Sequence, residues 1–437
     1  MKRIRQAFAV IGHLLSRPCL AFEALSPHGL KMIWHKLRHG GWAPIQEELA
    51  PYLSEAPAPA RRKLVPAQSA RAGTILVIDR SLPRFDRDAG SRAAWQYIEL
   101  LLDMGFRVMV RAHDALRREP YASMLEDMGV EVLADRRHAC GGWKKWLKAN
   151  AGDIDAIIMH RPNIAMRYLD EARRLTSAKM LYFGHDLRWL RNARRYEIEK
   201  DRFYLSEAAY WKKVEMRLAA DMDAVYYFSE EEAMEIRRLN PQAQTRVVPL
   251  FLVRPETLAE VPAFDQREGL LFVGGFAHAP NVDGILWFVG QILPLLREAL
   301  PELSITVVGG NPPAQLQNVP GVVMAGSVSD AELARLYQRS RIALAPLRYG
   351  AGIKGKVVEA INHRIPTVTT SIGAEGLPLA ASVLDIADAP REFADAVSAL
   401  YTNAGLWSRR SADLGCYLAD HFSPASARRV LEKDLMR

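Results

Sequence analysis

Between Arg348 and Gly376 the chain reads RYGAGIKGKVVEAINHRIPTVTTSIGAEG. Gly350, Gly352 and Gly355 would let a backbone approach a ligand closely. A short apolar strand, Ile342–Pro346, precedes them, and a helical period follows from about Ile353 to Asn362. A helix N-terminus presents unpaired N–H groups and a partial positive charge, which suits a phosphate. Lys354 and Lys356 fall in its first turn, where cations oppose the helix dipole, so they point to an anionic ligand that compensates. The alternative is a pair of solvated surface lysines. One turn on, Glu359 can accept two hydroxyls of a ribose; the alternative is an exposed helical glutamate.

Gly350-Ala-Gly-Ile-Lys-Gly355 also fits G-x-G-x-x-G, with Glu375 twenty residues further on. That is the dinucleotide fingerprint. Its place argues against it. The fingerprint opens the first strand–turn–helix of a domain, whereas this one stands fifth in its series, and Leu347–Tyr349 lengthen the turn. Two D-x-D pairs, Asp86-Arg-Asp88 and Asp221-Met-Asp223, match a metal motif. The second lies at a helix–strand junction and reads as structural; the first lies in the loop after the opening strand. No metal is expected.

The elements that must position these residues alternate. Thr74–Asp79, Arg107–Arg111, Gly129–Leu133, Ala156–Met159, Met180–Phe183 and Ala224–Ser229 read as strands with helices between them, Arg92–Met104 being one. A second series holds Leu270–Val273, a long helix Val282–Leu300, then Leu303–Val308, Val322–Met324, Ile342–Pro346, Thr367–Thr370 and Val383–Ile386. Such alternation predicts parallel sheets with helices on both faces. Val247–Gly269, with three prolines, reads as the hinge. The expected organisation is a basic helical extension and linker over 1–71, a Rossmann-like domain over 72–250, and a second over 251–437 with its last helix a candidate to cross back. Two such domains would face each other across a cleft, and ligands sit at strand carboxyl ends.

Composition narrows the function. Residues 1–71 carry 11 Lys/Arg and 4 Asp/Glu, so they hold almost all of the +8 net charge of the 437-residue chain. A body without a basic excess argues against nucleic acid; a basic terminal segment suggests an anionic membrane surface. Met1–Arg17 reads as an amphipathic helix rather than a signal peptide, to be docked either on a membrane or on the protein itself. No run of 18 apolar residues predicts a transmembrane helix. Three scattered cysteines, Cys19, Cys140 and Cys416, fit neither a disulfide framework nor a zinc site and suggest a reducing compartment.

In order, the chain also carries FVGGFAHAPNVDGILWF from Phe272, VVGG from Val307 and GSVSDAEL from Gly326, followed by the glycine-rich stretch. This succession resembles the retaining glycosyltransferases of family 4, in the branch with a GAGIKGKVVEA-type motif. The resemblance runs from about Thr74 to the C-terminus. It implies a GT-B fold and a metal-independent, hexosyltransferase-like enzyme. Such an enzyme would move a sugar, with retention, from a nucleotide-diphosphate donor to a glycan or lipid-linked acceptor, in cell-surface polysaccharide or lipopolysaccharide synthesis. The donor is a substrate, and no cofactor is implied. The expected location is cytoplasmic, peripheral on the inner face of the cell membrane.

By resemblance, Glu359 holds the ribose, while Gly274, Gly275, Arg348, Gly352, Lys354, Gly355, Glu375 and Gly376 form the donor side. His185, in LYFGHDLR, lies near the reacting sugar and joins Lys356 and Glu359 as catalytic. Asp88, Gly90, Ser91 and Asp186 form the acceptor side, with Arg161 and Arg188 as weaker candidates; Trp143, Trp146 and Trp211 read as packing. The sequence departs from the family where a Glu usually stands eight residues before Glu359: here it is Ala351. Gly275 stands at a usual Arg, and Pro280–Asn281 replace a Lys region. Lys354, Lys356 and Arg348 are expected to supply the missing positive charge. Two other functions fit parts of the sequence: a catalytically silent binding subunit, and a dinucleotide-dependent oxidoreductase or epimerase.

Overall fold

β1 (Thr74–Asp79) is buried at all six positions, as an apolar run becomes when helices cover both faces of a parallel sheet. The computed structural model describes residues 26–40, 45, 72–134, 140–250, 261–350 and 352–436. The reading of Met1–Arg17 as a helix, and Ala351, lie outside them. The other strands are β2 (Arg107–Ala112), β3 (Glu131–Leu133), β4 (Ala156–His160), β5 (Lys179–Phe183), β6 (Ala224–Tyr227), β7 (Thr245–Val247), β8 (Glu268–Val273), β9 (Ile305–Val308), β10 (Val322–Gly326), β11 (Ser340–Ala345), β12 (Thr367–Thr369) and β13 (Asp385–Ile386). They form a seven-stranded sheet, order β3-β2-β1-β4-β5-β6-β7, and a six-stranded sheet, order β10-β9-β8-β11-β12-β13. All six-stranded pairings are parallel. In both sheets the first strand of the series lies inside, so the chain reverses direction of winding beside it, the position where α/β sheets open a crevice for ligands.

The chain divides into two compact units: Met1–Arg84 with Leu101–Phe183, and Phe85–Leu100 with Gly184–Arg437. In the first, Arg161 Nε donates to Asp79 Oδ1 at 2.9 Å, and Asp155 Oδ2 accepts from the Thr74 N–H, also at 2.9 Å. Both tie the ends of β1 to the neighbouring strand β4. In the second, apolar side chains of β8, β9 and β11 pack with Ile285, Phe288, Leu296 and Phe393 into one core.

Among the elements whose bounds differ from the sequence expectation, three do so for plain local reasons. Ala224–Ser229 stops at Tyr227, because Ser229 accepts from the Glu232 N–H and caps the helix Glu230–Leu239. Thr370 likewise leaves β12 to cap Ser371–Ala374. The long helix starts at Ala279 and breaks into a π turn at Phe288–Ile292 before Leu293–Ala299. Pro294 has no N–H to give the preceding turn, so the hydrogen-bond ladder slips there. Ala279–Ala299 is long and apolar enough to cross a membrane by length and composition, unlike the expectation; half of it is buried, and its apolar face lies in the core just described.

Candidate active site

The turn after β11 runs from Pro346 to Lys354, and the helix Gly355–Asn362 follows, with Lys354 as its N-cap residue. Lys356 is therefore the second helical residue. Its Nζ lies 4.5 Å from the centre of the Phe272 ring and donates to Asn281 Oδ1 at 2.5 Å. Asn281 Nδ2 in turn donates to the Gly275 carbonyl at 2.8 Å, so one buried amide fixes both the loop after β8 and the lysine. A Cβ on Gly274 would stand 2.6 Å from Nζ and 2.8 Å from Asn281 Cγ, so a side chain there would displace the amine or the amide that holds it. Among the described residues no carboxylate pairs with Lys356. Burial first, and the charge of Lys354 second, pull its pKa down from 10.5 to about 7. A half-desolvated amine beside a helix N-terminus and another lysine is a poor arrangement for stability and a good one for receiving an anion.

Lys354 is differently employed. Its Nζ donates to the Gly352 carbonyl and lies 3.4 Å from Glu375 Oε2, and the side chain is 10% exposed. Burial lowers its pKa, and Glu375 and Glu232 act against that. Arg194 Nη1 donates to Glu375 Oε2 and to the Gly350 carbonyl, both at 2.7 Å. Glu375 thus gathers two cations that each hold a carbonyl of the glycine-rich turn. Gly352 and Gly376, at φ +72° and +82°, adopt left-handed conformations that favour glycine.

Glu359 accepts from Arg92 Nη1 at 2.6 Å, and Asp330 lies 3.7 Å from the same guanidinium. Arg348 stands apart: its guanidinium forks onto Asp283, with Nε at 2.9 Å from Oδ2. Asp88 and Ser91 satisfy each other at the start of the helix Ala89–Asp103, where Asp88 accepts from the Ser91 N–H at 2.9 Å and from its hydroxyl at 2.8 Å. Between them, Gly90 has no Cβ; one there would stand 3.1 Å from His185 Nδ1. Asp186 pairs with Arg191. Asp221, of the other D-x-D pair, ends the helix Arg202–Asp221 and pairs with Arg217 at 3.1 Å, while Asp223 lies just before β6. Trp143 and Trp211 are buried, consistent with packing.

The structure therefore brings Gly274, Gly275, Lys356 and Asn281 together at the ends of β8 and β11, and Gly352, Lys354, Glu375 and Gly376 in the adjoining turn. Asn281, Arg92, Arg194 and Glu232 are functional candidates that sequence reasoning missed. Asn281 carried a signal, since it follows the glycine pair of β8 by six residues, as a helix-start residue would. The other three lie far from the motif in sequence and carried none.

Comparison with known proteins places the sequence and the fold. Residues 267–403, which contain Lys354, Lys356 and Glu359, match the model of the family described as glycosyl transferases group 1. The structure superposes on HepE of Anabaena in complex with UDP and glucose, with a TM-score of 0.58 at 14% identity over 83% of this chain and 99% of that one. The fold is the GT-B glycosyltransferase fold. WaaG, a glycosyltransferase involved in lipopolysaccharide biosynthesis, gives a TM-score of 0.57 at 12% identity, over 82% of this chain and 99% of that one. TarM gives 0.52 at 15% identity, and the match covers 56% of its length. In sequence, an uncharacterized 44.6 kDa protein in the cps region of Klebsiella pneumoniae is 28% identical over 116 residues. That stretch spans 24% of this chain and 30% of the relative.

In this setting Arg348, already paired at the protein surface, is expected to matter little. Arg348→Ala should change the affinity for a nucleoside diphosphate by less than about threefold, within the range of exposed ion pairs. Titration calorimetry checks it, and a loss of tenfold or more would return Arg348 to the donor site.

Proposed function

We propose that this protein transfers a sugar, with retention, from a nucleotide-diphosphate donor to a glycan or lipid-linked acceptor in cell-surface polysaccharide synthesis. The observation that carries the reading is Lys356: an amine held at a helix start by Asn281 and Phe272, with no carboxylate paired to it among the described residues, a setting that suits an anion. The donor's diphosphate supplies that anion. As the sugar–phosphate bond lengthens, negative charge grows on the departing phosphate oxygens. Lys356 and the first N–H groups of the helix Gly355–Asn362 are already oriented toward it, so little reorganisation is needed. Glu359 is assigned to the ribose, and the Gly274–Gly275 loop to close backbone approach. His185 and Gly90 are assigned to the side of the reacting sugar and acceptor. Solved complexes of HepE with UDP and glucose support a uridine nucleotide as the first to test.

The protein is further proposed to act at the inner face of the cell membrane. The helix Pro27–Gly40 supports this, since Leu30 and Trp34 are exposed one turn apart beside Lys31, Lys36 and Arg38.

A thermal-shift panel of UDP, GDP, ADP and dTDP tests the donor reading. At a hundred times its dissociation constant the right nucleotide should stabilise the fold by about 2.7 kcal/mol, a shift of several degrees. No shift with any of them would sink the reading.

A further inference from the structure

The turn lacks a glutamate at Ala351, yet a carboxylate stands against it. Glu232 lies in the first turn of the helix Glu230–Leu239 and is 1% exposed. A Cβ on the next residue, Gly352, would stand 2.9 Å from Glu232 Oε1. A Cβ on Gly376 would stand 2.6 Å from the Cβ of Ser229, the residue that caps the same helix. Two left-handed glycines of the motif therefore rest on one Ser–Glu pair.

Glu232 is held firmly. Its Oε1 accepts from the Leu187 N–H at 2.9 Å and its Oε2 from the Ser229 hydroxyl at 3.0 Å. Glu215 accepts from the Arg188 and Trp189 N–H groups beside it, so two buried carboxylates anchor the start of the helix Arg188–Glu199. That helix carries Arg194 to Glu375 and to the Gly350 carbonyl. The groups facing Glu232 are Asp186, Ser229, the Leu187 N–H and Lys354.

We propose that Glu232 is a positioning residue for the donor phosphates: held by the Leu187 N–H and the Ser229 hydroxyl, it seats the glycine-rich turn at Gly352 and, when ionised, adds a buried counter-charge to Lys354. The inference rests on the donor reading and adds a residue from outside the motif. Burial, with Asp186 second, raises Glu232 to about 8, against the pull of Ser229, Leu187 and Lys354. Lys354 is itself lowered by burial, and Glu375 and Glu232 act to keep it charged, with Arg194 opposing. At pH 6 Glu232 is neutral, as glutamine is. At pH 9 it is mostly ionised and sustains the charge of Lys354.

The test compares wild type with Glu232→Gln in the full chain, using inorganic pyrophosphate, which carries the donor's two phosphates without its base. The ratio of dissociation constants, variant over wild type, should be near one at pH 6 and should rise severalfold at pH 9, where the ionised Glu232 of wild type favours the charged form of Lys354. Lys356 titrates alike in both proteins and cancels in the ratio. Glu232→Asp, which keeps the charge, should hold the ratio near one at both pH values and serves as the second variant. In a Lys354→Met background the Glu232→Gln change should have no further effect on affinity. A ratio that stays the same at pH 6 and pH 9, whatever happens to the melting temperature, overturns the inference and leaves the donor reading standing. Wild type that binds no pyrophosphate at either pH overturns both.

Discussion

Lys356→Ala will weaken binding of UDP by 10- to 100-fold, on the order of 1.5–3 kcal/mol for a hydrogen bond to a charged group. Turnover should fall further, by roughly 10²–10³-fold, because the charge it neutralises is larger in the transition state than in the bound donor. The same residue gives binding a proton signature. In the unliganded protein the amine has a pKa of about 7, so at pH 8 it is largely neutral. A diphosphate favours its charged form and raises that pKa. At pH 8 this amine should therefore take up nearly one proton on binding, while at pH 6, where it is already charged, it should contribute almost none. Calorimetry in two buffers of different ionisation enthalpy measures the uptake directly. The Lys356→Ala protein should lose most of it. Equal uptake by variant and wild type at pH 8 would remove Lys356 from the phosphate site.

Glu359→Gln should separate ribose from phosphate. Affinity for UDP is expected to fall about tenfold, the cost of one charge-assisted hydrogen bond, while affinity for pyrophosphate changes less than about twofold. Arg92 complicates the unliganded state in a definite way. It occupies Glu359 Oε1 at 2.6 Å, so a ribose hydroxyl must share or displace that contact. In the Gln variant the guanidinium keeps an acceptor in the amide oxygen and an anion in Asp330 at 3.7 Å, so the fold should lose little stability. Equal losses for UDP and pyrophosphate would place Glu359 outside the ribose contact, as a strut for Arg92 alone.

The motif itself was legible because its signals are local. A glycine turn, a strand before it and a helix after it are all set within thirty residues by backbone sterics and hydrogen-bond geometry. The alternation of apolar strands and amphipathic helices likewise announces parallel sheets, and the fold follows. Some errors were also local. Ser229 and Thr370 look like strand residues by neighbourhood, but a hydroxyl at a helix start caps more favourably than it pairs. Pro294 converted one long helix into two.

What the residues of the motif do with their charges was not legible. Lys354 and Lys356 are two positions apart and look alike in sequence, and both were assigned to the diphosphate. The structure divides them: Lys354 is held by Glu375 and the Gly352 carbonyl, while Lys356, among the described residues, has the neutral Asn281 and the face of Phe272. Successive helical positions point about 100° apart, so lysines two apart face different neighbours, and those neighbours come from β8, from the helix after it and from Glu232 more than a hundred residues upstream. Arg348 shows the same division, drawn off by Asp283.

The stretch Gly350–Gly376 by itself determined a glycine-rich turn where a strand meets a helix, since glycine φ freedom and the unpaired N–H groups of a helix start belong to the local chain. Only the tertiary structure decided which of its lysines is held by a carboxylate, because that depends on the side chains the fold brings nearest.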